Sequence, residues 1–136
     1  MKNMLLTFAI LQCFLFFGNA QNVKLPVNAQ EFILLNFPKE RLLKVEENKD
    51  NYEDRFEVKL SNKIELDFNA DGEITKMESE SGLPNSVIPK EILSHVLHNY
   101  PDKTIKEWQL KPYGQEIELN NEVELKFNAE GRFIKN

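Results

Sequence analysis

Residues 67–78 read DFNADGEITKME, which sets Asp67, Asn69 and Asp71 at alternate positions, Gly72 at the sixth, Ile74 at the eighth and Glu78 at the twelfth. Oxygen donors at this spacing are those of an EF-hand calcium loop, whose glycine permits a sharp turn and whose last glutamate binds with both oxygens. Such a loop needs a helix on either side. Residues 63–68 instead alternate polar and apolar, as a strand does. If a strand continues past Gly72, Glu78 is carried roughly 20 Å from the corner at ~3.3 Å per residue and cannot close the site. The leading expectation is a hairpin turn that uses Asn, Asp and Gly for their backbone tolerance. Weak calcium binding by Asp67, Asn69 and Asp71 is the alternative.

Other reactive residue types lead nowhere catalytic. His95 and His98 follow Glu91 on one stretch, which raises zinc, but the chain has no third histidine and catalytic zinc takes three well-placed protein ligands. They read as surface or boundary residues of an amphipathic helix. There is no G-x-S-x-G turn, and Ser79, Ser81, Ser86 and Ser94 have no evident base partner. The acids are numerous, but alternating strands scatter them over a solvated face. No catalytic residue, metal site or cofactor is assigned, and the chain is not expected to be an enzyme.

The elements that carry these residues come in two copies. Residues 57–74, EVKLSNKIELDFNADGEI, match residues 116–133, EIELNNEVELKFNAEGRF, at half of eighteen positions. The corner Phe68-Asn69-Ala70 before an acid and Gly72 has its counterpart in Phe127-Asn128-Ala129 before an acid and Gly131. There Lys126 and Glu130 stand where the first copy has Asp67 and Asp71, so the corner forms without the calcium donors. Upstream, Pro26, Phe37 and Pro38 align with Pro89, Tyr100 and Pro101. Helices are expected over 29–36, capped by Asn28, and over 90–99, where Ile92, Leu93, Val96 and Leu97 recur at helical spacing. Each ends before a proline, which disfavours helical geometry in the preceding residue. Extended stretches follow at 41–47 and 104–111. Phe56, Val58 and Leu60, then Ile64, Leu66 and Phe68, alternate with charged residues, and residues 117–127 repeat this. That period marks sheet with one buried and one wet face. Asn62-Lys63 and Asn121-Glu122 fall at hairpin corners, where Asn tolerates left-handed backbone.

The fold expected is α+β: a tandem α-β4 repeat with two helices on one face of an antiparallel sheet of about eight strands. Its repeats span about 25–80 and 81–136, within one domain of residues 21–136. Residues 1–20 read as a cleaved signal peptide, with Lys2, an apolar run over 4–17 and Gly18-Asn19-Ala20 at the cleavage site. The run is shorter than the ~20 residues that span a bilayer. Cys13 sits inside the run and leaves with it. The remaining chain has sixteen basic and twenty-two acidic residues, a net charge of −6, and no cysteine. Such a surface repels nucleic acid and anionic lipid, and without disulfides the domain depends on its core.

The Leu-Pro and Ile-Pro starts, the helices ending in Phe37-Pro38 and Tyr100-Pro101, and the duplicated E-V-x-L-S-N-x-I-E-L-x-F-x-x-x-G corner resemble the PepSY-like family, also described as β-lactamase-inhibitor-like. The resemblance covers essentially all of residues 25–135. It implies two helices on one side of a curved eight-stranded sheet, an envelope or secreted setting, and a role in binding or restraining other proteins. Two departures stand out: the family's Asn-Gly corner is Asn62-Lys63 and Asn121-Glu122 here, and the disulfides of true β-lactamase inhibitor proteins are missing. Inhibition of a β-lactamase is therefore not expected on the name alone.

The resulting expectation is an exported, non-catalytic protein-binding module, periplasmic or secreted, inhibitory or regulatory toward another envelope or secreted protein. A monomer is expected, with no nucleic acid partner and no membrane insertion after cleavage. The binding residues expected are Arg55, Glu57, Lys59, Glu65, Glu116, Glu118 and Glu124 on the charged strand face. Trp108 is added as an anchor of the kind enriched at interfaces, although its counterpart Val45 argues for a core position. Tyr52 and Tyr113 are further candidates in the variable connections.

Overall fold

Prolines set where both helices begin. In the computed structural model, which describes residues 23–134, α1 spans Val27–Asn36 directly after Pro26, and α2 spans Lys90–Asn99 directly after Pro89. The expected signal peptide, residues 1–20 with Cys13, lies outside the described residues. Proline suits the start of a helix because the N–H it lacks would have no helical acceptor there. Asn28 does not cap α1 as expected: it lies within the first turn, and its Nδ2 donates to Asp71 O at 3.1 Å. Both helices stop as expected, with Phe37 N–H bonding Ile33 O and Tyr100 N–H bonding Val96 O before the next proline.

Seven strands follow: β1 Leu42–Glu47, β2 Phe56–Leu60, β3 Ile64–Phe68, β4 Ile74–Ser79, β5 Ile105–Lys111, β6 Gly114–Leu119 and β7 Glu124–Phe127. They pair antiparallel in sequence order, as one seven-stranded sheet. The eight strands expected are thus corrected to seven among the described residues. After the second helix only three strands form, because the chain past Gly131 makes a single bridge, Phe127 to Phe133, where the first half builds β4. The hairpin corners also differ from expectation. Asn62 and Lys63 are both left-handed, but in the second corner the left-handed residue is Glu122 and not Asn121.

The register places Val45, Val58, Leu66, Met77, Trp108, Ile117 and Leu125 directly opposite one another in one row across all seven strands. All seven are buried. Successive residues of a strand face opposite sides, so this row and its diagonal neighbours make the core face. Both helices cover it. Phe32 of α1 meets Phe68 edge-on at 5.7 Å, and His95 of α2 meets Phe127 the same way at 5.4 Å. α2 buries Ile92 and Val96, whereas α1 buries only Ala29 fully and leaves Val27, Leu34 and Leu35 exposed. Among the described residues no helix is long and apolar enough to cross a membrane.

Candidate binding face

The opposite face of the sheet carries the charged residues, and the register sorts them into rows. One row runs Lys44, Lys59, Glu65, Glu78, Glu107, Glu118 and Glu124, one residue per strand. Its last five members are all glutamate, so like charges stand directly opposite one another across β3 to β7. That arrangement is unfavourable in an antiparallel sheet. The next row, Glu46, Glu57, Asp67, Lys76, Gln109, Glu116 and Lys126, is mixed. No helix lies on this side among the described residues.

Lysines relieve part of the repulsion. Lys59 Nζ lies 3.4 Å from both Glu57 and Glu65, and Lys76 Nζ lies 3.2 Å from Glu78 and 3.4 Å from Glu107. Burial pulls Lys76 toward its neutral form, yet Glu107 and Glu78 outweigh this and hold it above its usual pKa. Glu107 is raised, by burial first, with Lys76 opposing. Asp67 is pushed up to about 6, chiefly by burial and then by the facing Glu57. Glu118 has Lys106 at 3.8 Å, and none of the ion pairs among the described residues includes Glu124.

The residues expected to bind a partner divide into three groups. Glu57, Lys59, Glu65, Glu118 and Glu124 lie together on this face. Glu116 is on it too, accepting from the Tyr113 hydroxyl at 2.6 Å, with Lys111 at 3.7 Å. Arg55 is committed to the β1–β2 connection, donating to Glu47 at 2.9–3.0 Å and to Lys49 O at 2.6 Å. Trp108 lies on the other side, in the core row at 6% exposure, with Nε1 donating to Gln115 Oε1 at 3.0 Å. It offers no accessible anchor. Tyr52 and Tyr113 are exposed. Sequence reading missed Lys76, Glu78 and Glu107. The signal was the inward Trp108 beside Glu107, but only the β4–β5 pairing reveals that Glu78 faces Glu107.

The three candidate calcium donors do not converge. Asp67 belongs to the outer face. Asn69 Oδ1 accepts the N–H groups of Asp71 and Glu73 at 3.0 and 2.9 Å, and Asp71 accepts the Tyr52 hydroxyl. Glu78 lies along β4, as the strand expectation required. Among the described residues no three His, Cys, Asp or Glu side chains gather into a metal-holding group. An open groove of about 830 Å3 lies at the β1–β2 connection, lined by Glu46, Glu47, Arg55, Glu57 and Asp67 among others.

The family profile described as "Putative beta-lactamase-inhibitor-like, PepSY-like" matches the chain twice, over residues 21–76 and 54–135. Solved structures resemble it over most of their length. A "putative calcium-regulated periplasmic protein" from Bacteroides thetaiotaomicron is 26% identical, with 85% of this chain and 92% of that one covered and a TM-score of 0.77. A "putative periplasmic protein of unknown function" from Bacteroides vulgatus is 30% identical, with 82% and 90% covered and a TM-score of 0.71. Another periplasmic protein from that species is 28% identical, with 82% and 88% covered and the same TM-score. No curated protein matches the chain.

Proposed function

The chain belongs to the PepSY-like family, and from that premise we propose that it is an exported, non-catalytic module that holds another envelope or secreted protein against the outer face of its sheet. The observation that carries this reading is the row Glu65, Glu78, Glu107, Glu118 and Glu124. Lys59, Lys76 and Lys106 serve four of these glutamates and no ion pair among the described residues includes Glu124, so three lysines offset five like charges that stand opposite one another, and the row is incompletely satisfied by itself. A partner presenting Lys or Arg along this row would relieve it, and such fields also speed and select encounters. Glu57, Lys59 and Glu116 border the row, and Arg55 stands apart in the β1–β2 connection. In this reading residues 1–20 are removed on export, and residues 21–136 form one domain of two related units. The family match beginning at Gln21 and the periplasmic names of the similar structures support the export step.

The test is site-specific photocrosslinking in the cell envelope from positions 65 and 118, with position 94 on α2 as control. Capture of one protein from the sheet positions only is expected. Glu65→Gln, Glu118→Gln and Glu124→Gln together should raise the melting temperature slightly and abolish capture. No capture from either sheet position, or equal capture from position 94, would overturn the reading.

A second reading, calcium binding by Asp67, Asn69 and Asp71, is favoured by the name of the Bacteroides thetaiotaomicron protein. It requires Asn69 and Asp71 to give up their present hydrogen bonds. Calorimetry with millimolar calcium that gives neither heat nor a change in melting temperature would remove it.

A further inference from the structure

β1 and β5 are alike except in their neighbours. Each carries a bulge at the same place, between Leu42 and Lys44 and between Ile105 and Glu107, and each sends one side chain into the core row, Val45 and Trp108. β5 has β4 on its other side, at Lys76↔Gln109, Met77↔Trp108 and Glu78↔Glu107. β1 has no strand there among the described residues. The bulge is no obstacle to a further strand, since β5 accepts β4 just past its own. Asn48 N–H donates to Arg55 O at 2.8 Å in the β1–β2 register. The alternation of an antiparallel ladder then turns the N–H and C=O of Val45 and Glu47 away from β2, toward the open edge.

The side chains say which strand fits. On the outer face β1 presents Lys44 and Glu46, which touch one another. An antiparallel strand centred on Val45 must therefore offer, in chain order, a cation opposite Glu46, an apolar residue beside Val45 and an acid opposite Lys44. β4 has that order in Lys76-Met77-Glu78, but it is enclosed between β3 and β5. β1 has the same order in Lys44-Val45-Glu46, and no strand among the described residues covers its edge.

We propose that β1 pairs with β1 of a second copy of this chain, antiparallel about a two-fold axis at Val45, so that Lys44 of each copy faces Glu46 of the other. This is an isologous contact in which one patch complements itself. A single six-residue ladder buries less than the ~1,000 Å2 of a stable pair, so the association is weak and depends on concentration. The monomer expected from sequence is then the dilute form. The edge contact leaves the glutamate face free, so failure here and failure of the sheet-face reading are told apart.

Sedimentation equilibrium of the exported chain, residues 21–136, up to about 1 mM is the test. A dimer that weakens with added salt is expected. Lys44→Glu and Glu46→Lys each set like charges opposite at both ends and should weaken association about tenfold. An equimolar mixture of the two variants should restore it, because each supplies the charge the other lacks, and the double variant K44E/E46K should associate like the original. Unchanged melting temperatures will show that all remain folded. A chain monomeric throughout, a mixture no tighter than its components, or association indifferent to both reversals would overturn the proposal. So would exchange protection of the Val45 and Glu47 amides that does not depend on concentration.

Discussion

The corner at Asn69–Glu73 and the corner at Asn128–Arg132 share a backbone and differ in side chains. In each, the Asn N–H bonds the carbonyl four residues on, at 2.9 Å, and the glycine N–H returns to the Asn carbonyl at 3.0 Å. Gly72 and Gly131 have φ of 81° and 84°. In each, the Asn Oδ1 accepts the N–H of the residue four on, Glu73 or Arg132. What differs is the surroundings. The first corner is tied to the long β1–β2 connection, through Ala70 N–H to Tyr52 O at 2.9 Å and the Tyr52 hydroxyl on Asp71. The second is held from below by Gln115 Nε2, which reaches the carbonyls of Asn128 and Ala129 at 3.3 and 3.2 Å. The lesson concerns the calcium-like spelling. Asn and Gly make the turn in both places, whereas Asp67 has Lys126 as its counterpart and is not needed for the turn's shape.

The sharpest way to break the likeness is at the glycines. A Cβ on Gly72 would lie 2.7 Å from Pro26 Cβ and 3.0 Å from Ala29 N, at the start of α1, whereas one on Gly131 would meet Glu91 Cβ at 3.0 Å. Backbone and proline cannot yield as a glutamate side chain can. Gly72→Ala should cost about 2–4 kcal/mol and Gly131→Ala about 1–2 kcal/mol, read by urea unfolding. Near-equal losses would mean that α1 shifts as easily as Glu91.

The asparagines come next. Asn69 Oδ1 takes two backbone N–H groups and its Nδ2 reaches Glu73, against one backbone bond for Asn128 Oδ1. Asn69→Ala should cost about 1–2 kcal/mol and Asn128→Ala about half that in the same measurement.

A third contrast is Asp67 against Lys126, the residues just before the two corner phenylalanines. With its pKa raised to about 6, folded Asp67 holds its proton where the unfolded chain has released it. Stability from this group is therefore greatest below about pH 4 and falls as pH rises through about 6. Asp67→Asn should stabilise the protein near pH 7 by about 1 kcal/mol, after allowing for partial exposure, and have little effect near pH 4. Thermal melts at the two pH values check this, and an equal gain at both would refute it.

The smallest effect is expected at Tyr52. Its hydroxyl sits on Asp71 at the surface, so Tyr52→Phe should leave the melting temperature within error. A clear loss would mean that the long connection, and not Asn69, holds the first corner.

Much of the architecture was legible because it depends on local period. Alternation in Phe56–Leu60 and Ile64–Phe68 assigns buried and wet sides without knowing any partner, and Pro38 and Pro101 stop helices wherever they are packed. The strand count was less legible, since whether residues after Gly131 join a sheet depends on a ladder and not on their own pattern. Asn28 misled for a related reason: a capping side chain is also a donor, and α1 packs on the β3–β4 corner closely enough for it to reach Asp71.

The sequence by itself determined the order of elements, the charged side of each strand and the turn at Asn69, because spacing along one chain is sufficient for these. Only the tertiary structure decided which charges stand opposite. Glu65, Glu78, Glu107, Glu118 and Glu124 are spread over sixty positions and become neighbours through strand register. It also decided that Trp108 is enclosed between Met77 and Ile117 while Val45 lies on the outermost strand among the described residues. Register and edge position arise between strands, and no single strand carries them.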